Sequence, residues 1–153
     1  MKIFLLLGLL VFSSCKYDFR KRTERMKALS EMQQTDVDFS DFSEKNGMRK
    51  AFLHYMEDEG VLLRVNHLPI IGADAVEYIT SINDSTIQLN WEPKGGDVSE
   101  KGDLGYTYGT YIMKNEGAVT KGTYVTIWRK QKDGSWKFVL DSGNQGVGEE
   151  TEE

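Results

Sequence analysis

GDLGYTYGTYIMKNEGAVTKGTYVTIWRKQKDGSWKFVLDSGN, residues 102–144, decides the architecture. Tyr, Thr, Val, Ile, Trp and Phe dominate it, the residues that fit a pleated, half-buried surface. Turn chemistry divides it twice, at Asn115-Glu116-Gly117 and at Lys132-Asp133-Gly134-Ser135, so it predicts three consecutive antiparallel strands. Working back, residues 86–91 (TIQLNW) alternate with Ile87, Leu89 and Trp91 on one face. The following Pro93, Gly95 and Gly96 break or bulge that strand, because proline cannot donate to a ladder and glycine relaxes the backbone.

The first half is helical in spacing. Met26, Leu29, Met32, Val37, Phe39 and Phe42 suggest an apolar face over residues 23–44, ended by Asn46-Gly47. A second helix is expected over 48–56, a short strand over 60–65, a loop around Pro69, and a third helix over 73–82 with Ala75, Val76 and Ile79 as its stripe. Helices followed by strands joined by short turns give an α+β fold, a curved antiparallel sheet covered by N-terminal helices. At 153 residues and 39% hydrophobic, the chain supports one core. Its single cysteine leaves packing, with no internal disulfide, to hold that core.

The chain opens MKIFLLLGLLVFSSC. A basic Lys2, a short apolar run and small residues before Cys15 read as an export signal over 1–14, too short for the ~20 residues of a membrane span. The ending Phe12-Ser13-Ser14-Cys15 resembles a bacterial lipobox, whose cysteine is lipidated and becomes the mature amino terminus. Phe12 departs from the usual aliphatic residue. Lys16 in place of aspartate implies an outer-membrane address, so the protein is expected lipid-anchored in the cell envelope and facing the periplasm. Residues 15–25 then serve as a tether, 26–144 as the domain, and 145–153 as an acidic disordered tail. With a formal charge of −5 and no basic face interleaved with aromatics, no nucleic-acid partner is expected.

Specific segments carry a family resemblance: GMRKAFL (47–53), VLLR (61–64), PIIG (69–72), WEP (91–93), GDLGYTYGTY (102–111), YVTIW (124–128) and DGSWKFVLD (133–141). On these the chain resembles the superfamily of nuclear transport factor 2, ketosteroid isomerase and the SnoaL-like cyclases. More narrowly, it is similar to a bacterial ketosteroid-isomerase-like family of unknown function. The resemblance implies a cone with a hydrophobic cavity between sheet and helices, commonly a homodimer through the outer sheet face. Ketosteroid isomerase sets an acidic base beside a tyrosine and a protonated acid; those positions do not match residue by residue, so no catalytic role is carried over.

The candidate ligand-binding residues are Trp91, Tyr106, Tyr108, Thr126, Trp128, Asp141 and Arg64. Period two puts Tyr106, Tyr108 and Thr110 on one face and Tyr124, Thr126 and Trp128 on one face of the next strand. Either these aromatics line a pocket, or they pack in the core or at a dimer interface. Asp141, among Val139, Leu140 and Ser142, is an odd place for a carboxylate. An apolar cavity would favour its neutral form, as acid–base work needs, whereas a structural hydrogen bond would simply satisfy it. Arg64 could bind an anion or, by preference, pair with Asp141 or a glutamate. His54 and His67 lack ligand partners at metal-site spacing, and no phosphate or dinucleotide loop occurs, so no metal or cofactor is expected. Three roles stay open: a binder of a small apolar or aromatic molecule, an acid–base isomerase, cyclase or dehydratase using Asp141 and a tyrosine, and a dimeric scaffold.

Overall fold

A computed structural model describes the backbone of residues 3–148 and the side chains of residues 19–148. The side chains of the export signal and of Cys15, and the tail from residue 149, lie outside the described residues. The elements run α1 (Ile3–Asn46), α2 (Met48–Tyr55), β1 (Met56–Leu63), β2 (Ile70–Ile71), α3 (Ala73–Ser81), β3 (Ile87–Val98), β4 (Leu104–Asn115), β5 (Ala118–Lys130) and β6 (Trp136–Gln145). No described helix is long and apolar enough to cross a membrane.

The strands form one curved, unclosed sheet in the order β2-β1-β6-β5-β4-β3. Four of its pairings are antiparallel as expected, but β1 lies parallel to β6, so the sheet is mixed. Two strand boundaries also differ from expectation. β1 starts at Met56, inside the segment assigned to the second helix, and the Pro69 loop contains the two-residue β2. The Pro93–Gly95 segment is a bulge through which β3 continues to Val98.

The residues expected to form a tether are helical, because α1 runs through them. Arg25 joins them to the sheet: its Nη2 lies 2.5 Å from Asp97 Oδ1 and its Nε donates to the Val98 carbonyl. The buried face of α1 also differs from the apolar count. Met26 and Val37 are exposed, and the inward stripe is Ala28, Met32, Asp36, Phe39, Ser40 and Ser43, a 3.6-residue period that admits three polar side chains. On α3, Ala75 and Ile79 are buried while Val76 is exposed.

Two of those polar residues act on the sheet edge. β3 is an outer strand, and an outer strand leaves backbone groups unpaired. The Trp91 N–H donates to Ser40 Oγ at 2.8 Å, Ser40 Oγ donates to the Trp91 carbonyl at 2.8 Å, and Ser43 Oγ donates to the Leu89 carbonyl at 2.7 Å. The helix thereby replaces a missing strand. Behind this seam, Phe39 is the hub of an aromatic core, with ring centroids 4.5 Å from Trp91, 5.0 Å from Phe52 and 5.7 Å from Phe138.

Ser40→Ala leaves the Trp91 N–H without its acceptor in a part-buried seam. Urea unfolding should show a loss of about 1–3 kcal/mol with an unchanged m-value. A loss within experimental error would mean that the edge is satisfied by other means.

Candidate functional site

Between the concave sheet face and α2 and α3 lies a cavity of about 360 Å³. Its walls are apolar: Phe39 and Phe52 from α1 and α2, Leu62 from β1, Ile79 on α3 and Ile82 at its end, and Ile87, Leu89 and Met113 from β3 and β4. Val65 lines the cavity and is exposed, marking its mouth. The polar lining comes from Arg64, Tyr111, Tyr124, Thr126, Asp141, Ser142 and Gln145, on or next to strands β1, β4, β5 and β6, and from Tyr78 of α3.

A bulge decides that Asp141 belongs here. Trp128 pairs with Phe138 but Ile127 pairs with Leu140, so Val139 is an extra residue in β6. Strict alternation from Trp136 and Phe138 would turn Asp141 outward, and the extra residue turns it inward. There it is buried, its Oδ1 2.6 Å from Arg64 Nη2 and its Oδ2 accepting from Thr126 Oγ1 at 2.9 Å. Arg64 Nη1 also donates to the Asp141 carbonyl at 3.1 Å. The carboxylate therefore does not sit in purely apolar surroundings: a guanidinium and a hydroxyl compensate its burial.

Of the sequence candidates, Trp91, Arg64, Thr126 and Asp141 converge on the cavity. Tyr106 and Tyr108 do not, being 45% and 49% exposed on the opposite sheet face, their rings stacked at 6.5 Å. The reason is steric. α1 crosses the inner face of β4, where a Cβ on Gly105 would stand 2.5 Å from Met32 Sδ, so small residues face in and rings face out. Trp128 faces inward but is fully buried in the core, its Nε1 donating to Thr107 Oγ1. His54 and His67 are both exposed, His54 stacked on Phe42 and His67 against Tyr78. Among the described residues no cluster of three or more His, Cys, Asp or Glu could hold a metal.

Two residues were missed. Tyr111 enters because its ring lies over Gly122, where any Cβ would come within 2.5 Å of it. Asp36 is fully buried behind the cavity wall and accepts from Trp91 Nε1 at 2.8 Å and from Tyr124 Oη at 2.7 Å. Its position four residues after Met32 and three before Phe39 was the available signal. Burial holds the Asp36 carboxyl above its ordinary range, against the hydrogen bonds of Tyr124, Trp91 and Thr107, with the Asp141 charge adding to the rise. Burial, then the Asp36 charge, raises the Tyr124 phenol strongly, so it stays a donor. Burial also raises Tyr111, and Arg64 opposes that shift.

No family model and no curated protein matches the chain. Solved structures do. A ketosteroid isomerase-like protein from Erwinia carotovora atroseptica is 19% identical, with a TM-score of 0.60 over 78% of this chain and 97% of that one. An NTF-2-like protein from Shewanella oneidensis is 15% identical, TM-score 0.57, over 71% and 93%. An epoxide hydrolase of the LEH-like type from M. tuberculosis is 11% identical, TM-score 0.53, over 78% and 79%. The fold is the ketosteroid-isomerase-like, nuclear transport factor 2-like cone. At these identities the likeness is one of architecture, and the cavity of the cone must be judged on its own residues.

Asp36 also sets a pH dependence. With its folded pKa raised, its contribution to stability is fully present below the unfolded value of 3.8 and is lost as pH rises through the folded value. Urea unfolding from pH 4 to 8 should therefore show stability falling with pH relative to Asp36→Asn across that window. Parallel profiles for the two proteins would show that Asp36 titrates normally.

Proposed function

We propose that this is an exported, lipid-anchored protein whose cone domain binds a small apolar or aromatic molecule. The observation that carries the reading is the cavity itself: about 360 Å³, apolar on most sides, with a few polar groups gathered at one end. Small-molecule sites have this form, at roughly 300–1,000 Å³. An acid–base enzyme is the weaker reading, although one protein of similar fold is an epoxide hydrolase. Both Asp141 oxygens already accept bonds, and Asp36 lies beneath Trp91 and Tyr124 rather than in the cavity lining. A scaffold packed solid by its own side chains is disfavoured by the open volume.

The address rests on the amino-terminal sequence, with Cys15 lipidated and the domain in the envelope, on the outer membrane facing the periplasm. The narrower kinship with a bacterial ketosteroid-isomerase-like family belongs to the same proposal. So does a homodimer through the outer sheet face, where Tyr106 and Tyr108 present half-exposed rings of the type favoured at interfaces.

Native mass spectrometry of the protein from its own host should show dimer mass and a retained small molecule, and Leu89→Trp, which fills the cavity, should lose that molecule while staying folded. A ligand at a hundred times its Kd would add about 2.7 kcal/mol of stability. Retention of the same molecule by Leu89→Trp would place binding elsewhere. Separately, Cys15→Ser should move the protein out of the membrane fraction, and a variant that stays there would refute the anchor.

A further inference from the structure

We infer that the cavity selects uncharged molecules bearing a hydrogen-bond-accepting oxygen at one end, because its polar end is an ion pair complete in charge but not in hydrogen bonds. The inference rests on the cavity being a binding site, and it names what that site prefers.

Donors are in excess there. A guanidinium has five N–H groups. In Arg64, Nη1 donates to the Leu63 carbonyl at 2.9 Å and the Asp141 carbonyl at 3.1 Å, and Nη2 donates to Asp141 Oδ1 at 2.6 Å. The remaining N–H groups meet no acceptor among the described residues, although the side chain is only 23% exposed. The Tyr111 hydroxyl lines the same cavity, is close enough to feel the Arg64 charge, and has no hydrogen-bond partner among the described residues. The strongest acceptor at this end, Asp141, is engaged at both oxygens, and the neutral Ser142 and Gln145 complete the polar lining. Asp141 Oδ1 serves Arg64, Asp141 Oδ2 serves Thr126, and the Tyr124 hydroxyl donates to Asp36.

The charges decide between ligand classes. Arg64 and Asp141 cancel, and of the other carboxyls close to the cavity residues, Asp36 lies behind the wall and Glu92 is exposed. A ligand carboxylate would be desolvated beside a guanidinium that already serves one anion, and it would meet Asp141 as a like charge. An ammonium would have to share Asp141 with Arg64 and would meet the guanidinium as a like charge. A carbonyl, ester or ether oxygen takes the free N–H and O–H groups without unbalancing the pair, while its apolar body fills the space between Leu62, Leu89 and Ile79. The Phe52 ring, 5.7 Å from the guanidinium carbon, covers part of Arg64 and holds its head in place.

Calorimetric titration of the full-length chain at pH 7 with naphthalene, 2-acetylnaphthalene, 2-naphthoate and 2-naphthylmethylamine tests this. The ketone should bind about tenfold tighter than either charged probe, since discrimination comes from repulsion and stranded donors as much as from attraction. Asp141→Asn leaves the Arg64 charge unpaired and should strengthen 2-naphthoate about tenfold, erasing the advantage of the ketone over it. Tyr111→Phe leaves the pair intact and should weaken the ketone about threefold to tenfold with naphthalene unchanged, so it carries the test if Asp141→Asn does not fold. A wild-type preference for a charged probe overturns the inference, as does naphthalene binding without discrimination, which leaves the binding site standing. Failure of all four probes to bind overturns the binding site and this inference with it.

Discussion

A single carboxyl group ties the helical layer to the sheet. Asp36 leaves α1 in the middle of its buried stripe and receives Trp91 from β3 and Tyr124 from β5, while Thr107 of β4 adds a third hydrogen bond. Among the described residues no cation pairs with it, so three neutral donors must offset the cost of taking the group out of water. Such an arrangement is a poor source of net stability and a strict source of register. If α1 slid by one turn, the donors of three strands would lose their acceptor together. Trp91 and Tyr124 are also cavity walls, so the knot that sets the helix position sets the shape of the cavity.

The seam at β3 extends the same logic. Ser40 and Ser43 follow Asp36 on the inner face of α1, and they spend their hydroxyls on the backbone of an outer strand. One helix face thus carries apolar contacts, a carboxylate knot and an edge cap in succession. This division explains why α1 covers the β3–β4 side of the cone. The cavity is left beneath the shorter α2 and α3, with β1 as well as β3 and β4 in its walls.

Much of the fold was legible in the residues. Three closing strands, their turns, the bulge after Pro93, the third helix and the Gly47 break follow from local chemistry, which acts over a few residues. Faces were harder. The apolar count on α1 chose Met26 and Val37 over Asp36 and Ser40, because a polar side chain with a distant partner looks like a solvated one until the partner is seen. On β4 the rings of Tyr106 and Tyr108 attracted attention, whereas the inner face had to be small to pass under Met32. Asp141 stood out as a misplaced carboxylate, and the preferred reading of Arg64 was a pair with Asp141 or a glutamate. Its inward direction depends on Val139 being an extra residue, which only the pairing of β5 with β6 reveals. The parallel contact of β1 with β6 left no local trace at all.

That parallel contact governs how the cone comes into being. Arg64 and Asp141 stand 77 residues apart in the chain and meet only when the final strand docks beside β1. Pairings of such long range carry a large loop-closure cost and form late. Until then the nascent chain exposes the apolar wall at Leu62 and the unpaired flank of β1, the two surfaces most prone to stray association. The polar end of the cavity is thus completed only by the final strand, and a chain that lacks it has the apolar wall without the Arg64–Asp141 pair.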